Sequence, residues 1–279
     1  MRTQPADSRR RSADIKAMAV FLVVAFLASG ALGALQPATG IPGEVIQLVQ
    51  FGPALGVGLV ALLRPGRVRE LFAGGGPDGG ARKAPGALLL LTPPLIVAVI
   101  VGAYAVLAGD VGPTRPTALF ALIAVAQLTG ACGEEIGWRC FLQPLLRTRL
   151  GPFAASVVVG LVWGLWHVQV FTRHPVYAAA FVVAAVSMSV VLGWALDGVR
   201  AAAALPLAGI FHTLINLGLL LFLDEESGEV LPMVLFGVAC LAAAGLWTWR
   251  SARGPRPAAS APAPTPAPAR ISPIMDDAR

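Results

Sequence analysis

Eight apolar runs of about 20 residues recur along the chain, and this is the length that an α-helix needs to cross a bilayer. They lie at 17–35, 45–63, 87–107, 118 to about 132 and beyond, 153–171, 176–196, 202–222 and 231–249. In lipid, only helices and closed barrels satisfy every backbone polar group. The sequence therefore predicts an all-α, polytopic membrane protein with about eight transmembrane helices.

The composition supports a membrane location. Hydrophobic residues make up 56% of the 279 residues and charged residues only 13%, whereas soluble domains carry about 25% charged residues. The net charge of +6 comes largely from Arg clusters beside the apolar runs, which predicts contact with anionic membrane lipids. No basic run is interleaved with aromatic residues, so a nucleic-acid partner is not expected. The cysteines lack the spacing of a metal knuckle and are predicted to be core residues: Cys132, Cys140 and Cys240.

The positions of Lys and Arg predict the orientation, because these residues accumulate on the cytoplasmic side. With the N-terminus inside, the basic segments 9–16, 64–83, 147–149, 200 and 250–256 are all cytoplasmic, and the acidic segment 224–229 is outside. We therefore expect a multi-pass protein of the cell membrane with both termini in the cytoplasm. A cleaved signal peptide is the alternative for 17–35, although this run exceeds the usual apolar core of about 7–15 residues.

These patterns divide the chain into five parts. The predicted parts are a basic cytoplasmic N-terminus at 1–16, the first three spans at 17–116, a catalytic core at 117–222, the last span at 231–250, and a disordered Pro/Ala-rich tail at 251–279.

Two adjacent carboxylates, Glu134 and Glu135, lie inside the fourth apolar run. Ionisable residues at membrane depth are costly and usually functional. Glu135 and Arg139 are four residues apart on one helical face, so we expect them to form an ion pair. Glu134 points about 100° away and has no cation on its own helix, so it is the predicted general base. The alternative is that both glutamates serve only packing or membrane insertion.

Two histidines lie in later apolar runs. His167 follows Trp163 by one helical turn, and His212 and Asn216 share a face of the seventh run. Counting from the nearest cytoplasmic positions at about 1.5 Å per residue, Glu134, His167 and His212 lie in a common layer. A carboxylate, two imidazoles and an amide are the groups needed to activate water and stabilise a tetrahedral intermediate, so peptide-bond hydrolysis is the predicted reaction.

Whether this reaction uses a metal is left open by the residue types. His167, His212 and Glu134 would suffice to bind a catalytic divalent ion such as zinc, but the sequence contains no H-E-x-x-H motif. In a metal-free mechanism, Glu134 and His167 would hold the water, while His212 and Asn216 would form the oxyanion site.

Three motifs in order resemble those of the CAAX protease and bacteriocin-processing (CPBP or Abi) family of intramembrane proteases, which includes the type II CAAX prenyl endopeptidase. That family shows Glu-Glu-x-x-x-Arg, Phe-x-x-x-His, and His-x-x-x-Asn or Asp. The first and third are matched by Glu134-Glu135-Ile136-Gly137-Trp138-Arg139 and by His212-Thr213-Leu214-Ile215-Asn216. In the second, Trp163 replaces Phe before His167.

The resemblance covers roughly 118–219 and implies an all-helical fold with a conical cavity that opens to the cytoplasm and to lipid. It further implies an intramembrane endopeptidase, often classed as a metalloprotease, in which Glu134 is the essential base and the substrate is a membrane-associated protein or peptide. Two other functions stay open: a non-catalytic scaffold or immunity protein of the same fold, and a small-solute transporter. The sequence has no defensible internal repeat of the kind that many transporters show.

Overall fold

The computed structural model describes residues 4–74, 85–109, 116, 118–223 and 228–253. Every regular element within these residues is helical. Several predictions fall outside them: the disordered tail from 254 onward, the basic positions Arg82 and Lys83, and most of the acidic segment 224–229.

Ten α-helices form the described part of the chain. Their bounds are α1 Gln4–Thr39, α2 Gly52–Leu63, α3 Pro65–Ala73, α4 Gly86–Ala108, α5 Phe120–Gly137, α6 Gln143–Arg147, α7 Pro152–Trp166, α8 Pro175–Ala195, α9 Ala201–Phe222 and α10 Val230–Arg253. Three short irregular helices complete the described helical structure: the 3₁₀ turns Leu48–Phe51 and Val168–Thr172, and the π turn Trp138–Leu142 between α5 and α6.

Five of the described helices are long and apolar enough to cross a membrane, namely Ser8–Thr39 within α1, together with α4, α8, α9 and α10. The predicted spans at 45–63 and 153–171 form shorter apolar helices, Leu48–Leu63 and Pro152–Trp166. Helix α7 stops early because the backbone at His167 (φ −76°, ψ 62°) leaves the helical region. The described structure confirms a polytopic, all-α membrane protein.

Four of the predicted cytoplasmic segments meet at one end of the bundle. Arg67 of α3 forms a bidentate contact with Asp14 of α1, with both distances 2.9 Å. Arg147 of α6 contacts Asp197, between α8 and α9, at 2.6 and 3.1 Å. We call this end the basic face, defined by residues 8–16, 64–74, 147–150 and 197–201. Its assembly supports the predicted grouping of these segments, while the side of the membrane that it faces stays a prediction.

Small residues let the helices around the fourth predicted span approach closely. A Cβ atom added to Gly137 of α5 would lie 2.5 Å from Pro53 Cβ of α2. A Cβ atom added to Gly160 of α7 would lie 2.5 Å from Val186 Cα of α8. Gly137 and Gly160 are therefore packing positions, where the absence of a side chain permits close approach of the helices.

The Gly160→Ala substitution is expected to destabilise the protein. The new methyl group would press on the backbone of α8, and overpacking of this kind costs about 1–3 kcal/mol. Gly102→Ala in α4 is the matched control, because a Cβ atom there meets open space and alanine favours a helix. Thermal denaturation in a mild detergent would measure both. Equal midpoints for the two variants would contradict close packing of α7 against α8.

Candidate active site

The carboxylate of Glu134 is buried in the protein rather than exposed to lipid. The residue lies on α5 and is only 1% exposed. Its Oε2 accepts a hydrogen bond from the indole Nε1 of Trp163 in α7 at 2.7 Å. Its Oε1 accepts one from the amide Nε2 of Gln50, in the 3₁₀ turn before α2, at 3.1 Å. Three separate segments thus fix the carboxylate, and they compensate for its burial with two neutral donors.

Glu135 points away from Glu134, and its carboxylate contacts two side chains that can carry a positive charge. Its Oε2 accepts from Arg139 Nε at 3.0 Å, which confirms the predicted ion pair. Its Oε1 lies 3.0 Å from His212 Nδ1 on α9, a contact that spacing along the chain did not predict. Glu135 therefore fixes the orientation of the His212 ring, as buried carboxylates do for functional histidines.

Arg139 is held on several sides. It lies in the π turn, an element that occurs frequently at functional sites. Its Nη1 donates to Ser189 Oγ of α8 at 2.8 Å, and that hydroxyl donates to the carbonyl of Ser156 in α7 at 2.7 Å. Its guanidinium carbon lies 5.2 Å from the ring centre of Trp163. Arg139 thus connects α5, α7 and α8 behind Glu134.

His167 lies at the end of α7 rather than within a helix. Its Nδ1 lies 2.9 Å from the carbonyl oxygen of Trp163. The rings of Trp166 and Phe181 pack against it, each with its centre 4.8 Å away. Because Nδ1 is engaged by the backbone, Nε2 is the ring nitrogen available to water or a substrate.

A cavity of about 470 Å³ brings four of the predicted residues together. Its lining includes Glu134, His167, His212 and Asn216. Glu135 and Arg139 lie outside this lining, but Glu135 contacts the lining residue His212, and Arg139 lies over the ring of the lining residue Trp163. The predicted convergence of an acid, two imidazoles and an amide therefore agrees with the geometry.

The described donors do not assemble a conventional metal centre. No three His, Cys, Asp or Glu side chains in the described ranges lie close enough to hold an ion. Both oxygens of Glu134 already accept hydrogen bonds from neutral donors. The zinc site formed by His167, His212 and Glu134 stays a prediction that this donor arrangement does not favour.

Three polar residues of the site were not singled out from the sequence. Gln50 binds Glu134, and Ser189 binds Arg139. Gln127 accepts from Asn216 Nδ2 at 3.2 Å and donates to the carbonyl of Glu44 at 3.0 Å. The spacing in the sequence could have indicated Gln127 as a site residue, since it precedes Glu134 by about two helical turns on one face of α5. Ser189 lies in an apolar run without any comparable spacing.

The fold and the site together define a polytopic α-helical membrane protein whose helices enclose a cavity lined by both polar and apolar residues. Residues 116–218 match the family model described as "Type II CAAX prenyl endopeptidase Rce1-like". This match confirms the resemblance that the three motifs indicated, over the segment that carries α5, α7, α8 and most of α9.

Similarity to individual proteins is consistent with the family match. The chain is 31% identical over 124 residues to "CAAX prenyl protease 2" of Methanococcus maripaludis, which covers 40% of the chain and 45% of that protein. It is 26% identical to "Lysostaphin resistance protein A" of Staphylococcus aureus over 56% of the chain and 38% of the relative. For the protein of that name from Staphylococcus haemolyticus, the identity is 23% over 79% of the chain and 61% of the relative. The chain thus spans less than two thirds of each of these relatives.

Proposed function

We propose that this protein is an intramembrane endopeptidase that hydrolyses a peptide bond in a membrane-associated protein or peptide. The observation that carries the proposal is the cavity in which a buried carboxylate, Glu134, lies with the rings of His167 and His212 and the amide of Asn216. The match of 116–218 to a prenyl endopeptidase family supports it independently.

In the proposed mechanism, Glu134 is the general base. It takes a proton from a water molecule whose oxygen attacks the carbonyl carbon of the scissile bond, and His167 orients that water through Nε2. The proton on Glu134 then passes to the leaving amine nitrogen as the C–N bond breaks. All atoms of the water are used: its oxygen and one hydrogen remain on the new carboxyl group, and the other hydrogen goes to the amine.

The negative charge that develops on the carbonyl oxygen needs hydrogen-bond donors. In the proposal, Asn216 supplies one donor, and His212 supplies another from Nε2 in its protonated form, because its Nδ1–H is bound by the Glu135 carboxylate. Asn216 Nδ2 has two hydrogens, of which one is used by Gln127, so the other is available to the oxyanion. Glu135 keeps the His212 ring in place. Gln127 and Gln50 are positioning residues that hold Asn216 and Glu134.

The relative named "CAAX prenyl protease 2" indicates the substrate to test first. The cavity has an apolar side formed by Phe181, Met188, Leu219 and Phe236, which is suited to a substrate that carries a lipid or a hydrophobic segment. The full chain would be purified, reconstituted in liposomes and mixed with a farnesylated CAAX peptide or with an unmodified hydrophobic peptide. Mass spectrometry of the products would identify the bond that is cut.

We expect cleavage to continue when a chelator such as 1,10-phenanthroline is present. This follows from the donor arrangement, in which the base is held by neutral hydrogen-bond donors and protein groups serve the oxyanion. The measurement is the initial rate with and without the chelator, combined with the metal content of the active protein. A rate that falls to background and returns on adding zinc would contradict the metal-free form of the mechanism, while cleavage itself would still stand.

A non-catalytic role is the second candidate. The relatives named "Lysostaphin resistance protein A" indicate that proteins of this kind also confer resistance, and binding alone would require the cavity but not the base. A variant that changes only Glu134 and leaves the cavity intact distinguishes the two functions. If the cellular phenotype of the wild-type protein persists in such a variant, the non-catalytic binding role is favoured.

A further inference from the structure

A second cavity, of about 420 Å³, lies at the basic face. It is distinct from the cavity that contains Glu134, since the two have no lining residue in common. Its lining comes from the start of α1, from α3, from the π turn and α6, and from the connection between α8 and α9. These are the ends of helices, so in a bilayer the pocket lies near the height of the lipid headgroups.

Arginine dominates the charged lining. Four arginines contribute to it, Arg10, Arg67, Arg139 and Arg147, against two acids, Glu70 and Asp197. The other carboxylates that pair with these arginines, Asp14 and Glu135, are not part of the lining. Within the lining itself, four guanidinium groups outnumber two carboxylates, so an anion in the pocket meets a net positive charge.

The acids of the pocket are already engaged. Asp197 is bound by Arg147, and Glu70 is bound by Arg67 and Arg10. Burial alone would raise the pKa of Glu70, but the neighbouring Arg67 and Arg10 outweigh it and lower that pKa. These pairs fix the arginine side chains in place, which reduces the conformational entropy lost when a ligand binds.

Two buried polar atoms in the lining residues have no partner among the described residues. They are Nη2 of Arg139, a donor, and Oε1 of Gln143, an acceptor. The Arg139 side chain is only 2% exposed. Buried charged donors without an acceptor are rare and costly, so a group that supplies one is expected. Phosphate oxygens bind guanidinium groups well, and a hydroxyl beside the phosphate could donate to Gln143.

We propose that this pocket is a binding site for a phosphate group, which reaches Arg139 from the basic face. The phosphate comes from the headgroup of an anionic phospholipid such as a phosphatidylglycerol, or from free inorganic phosphate. Basic pockets between transmembrane helices favour such headgroups. The site does not depend on the proposed peptidase activity.

The experiment uses the purified full chain in a neutral maltoside detergent at fixed ionic strength. The midpoint of thermal denaturation is measured against increasing inorganic phosphate, short-chain phosphatidylglycerol or short-chain phosphatidylcholine, because a ligand that binds the folded state raises the midpoint. We expect phosphatidylglycerol to raise it saturably and phosphatidylcholine to leave it unchanged. A rise with phosphatidylglycerol alone identifies a headgroup site, and a rise with phosphate as well identifies a site for the phosphate group itself.

Two matched pairs of variants test the position of the site. Arg10→Gln removes a cation of the lining, whereas Arg9→Gln removes an exposed neighbour that is not part of it. We expect the first to weaken binding about fivefold and the second to change it less than about twofold, given the usual contribution of one basic residue near an anionic surface. Ala201→Glu adds a carboxylate to the lining, and Ala203→Glu adds one at an exposed position outside it. Only the former should weaken binding, by about tenfold or more.

The same denaturation and binding measurements can contradict the proposed phosphate site in two ways. If neither phosphate nor phosphatidylglycerol raises the midpoint, the pocket is not an anion site. If Arg9→Gln and Arg10→Gln weaken binding equally, the attraction belongs to the whole basic face and not to this pocket. If Ala201→Glu does not fold, the comparison of Arg10→Gln with Arg9→Gln still tests the position of the site. Arg10→Gln is expected to fold, because Arg10 is exposed and Glu70 keeps its pair with Arg67.

Discussion

Glu134→Gln is expected to lower the rate of peptide hydrolysis by about 10²–10⁴-fold, the usual contribution of a positioned general base. The amide keeps the size of the carboxylate but does not take a proton from water. Because the cavity and its other lining residues are preserved, substrate binding should change much less than the rate. Single-turnover cleavage in liposomes measures the chemical step, and equilibrium binding of the same peptide measures affinity.

The control for this variant is Glu229→Gln, which makes the same chemical change at a described glutamate outside the cavity. Its rate should equal that of the wild-type protein. A thermal denaturation curve shows whether each variant is folded, since the carboxylate accepts from Gln50 on one oxygen and from Trp163 on the other, whereas glutamine at 134 has a single acceptor oxygen. If folded Glu134→Gln protein cleaves at the wild-type rate, Glu134 is not the base and the proposed mechanism is wrong.

Much of the architecture could be predicted because membrane helices are specified locally. Each predicted span is an apolar run, and hydropathy depends on residues that are adjacent in sequence. The pair between Glu135 and Arg139 was also local, since the two residues are four positions apart on one face. Glu134, His167 and His212 could be assigned to a common layer by counting residues from the basic connections.

What the sequence did not predict depends on contacts between distant segments. Gln50 reaches Glu134 across 84 positions, and His212 reaches Glu135 across 77. A single sequence gives residue types and spacing but not which helices are neighbours. The indole of Trp163 illustrates this difference: the motif showed only that Trp163 replaces Phe before His167, whereas the fold makes its Nε1 a donor to Glu134.

Local irregularities were missed for another reason. The π turn at Trp138–Leu142 and the end of α7 at Trp166 both lie inside apolar runs that read as continuous helix. Hydropathy records only that a segment prefers lipid or the protein interior, so it does not report a change in backbone hydrogen bonding. In this fold, both irregularities lie at predicted site residues, Arg139 and His167, and departures from regular structure are frequent at functional sites.

Arg139→Met is expected to destabilise the protein by about 3–5 kcal/mol, because the buried carboxylate of Glu135 loses its guanidinium partner and keeps the weaker contact with His212. Methionine retains apolar volume, so the loss reflects mainly charge and hydrogen bonding rather than a large void. Adding Glu135→Gln to this variant removes the uncompensated charge. We therefore expect the double variant to be more stable than Arg139→Met alone, with thermal denaturation in detergent as the measurement.

The exposed pair Arg10–Glu70 provides the comparison for this buried pair. Exposed ion pairs contribute at most about 1 kcal/mol, so Arg10→Gln should shift the midpoint much less than Arg139→Met. The double variant should still lose activity although its stability partly returns, because His212 no longer has a carboxylate at Nδ1 to orient its ring. The single variant Glu135→Gln completes the comparison. If the stability losses of Arg139→Met and Glu135→Gln add up in the double variant, Glu135 and Arg139 do not stabilise each other. If the double variant has wild-type activity, the two residues do not position His212.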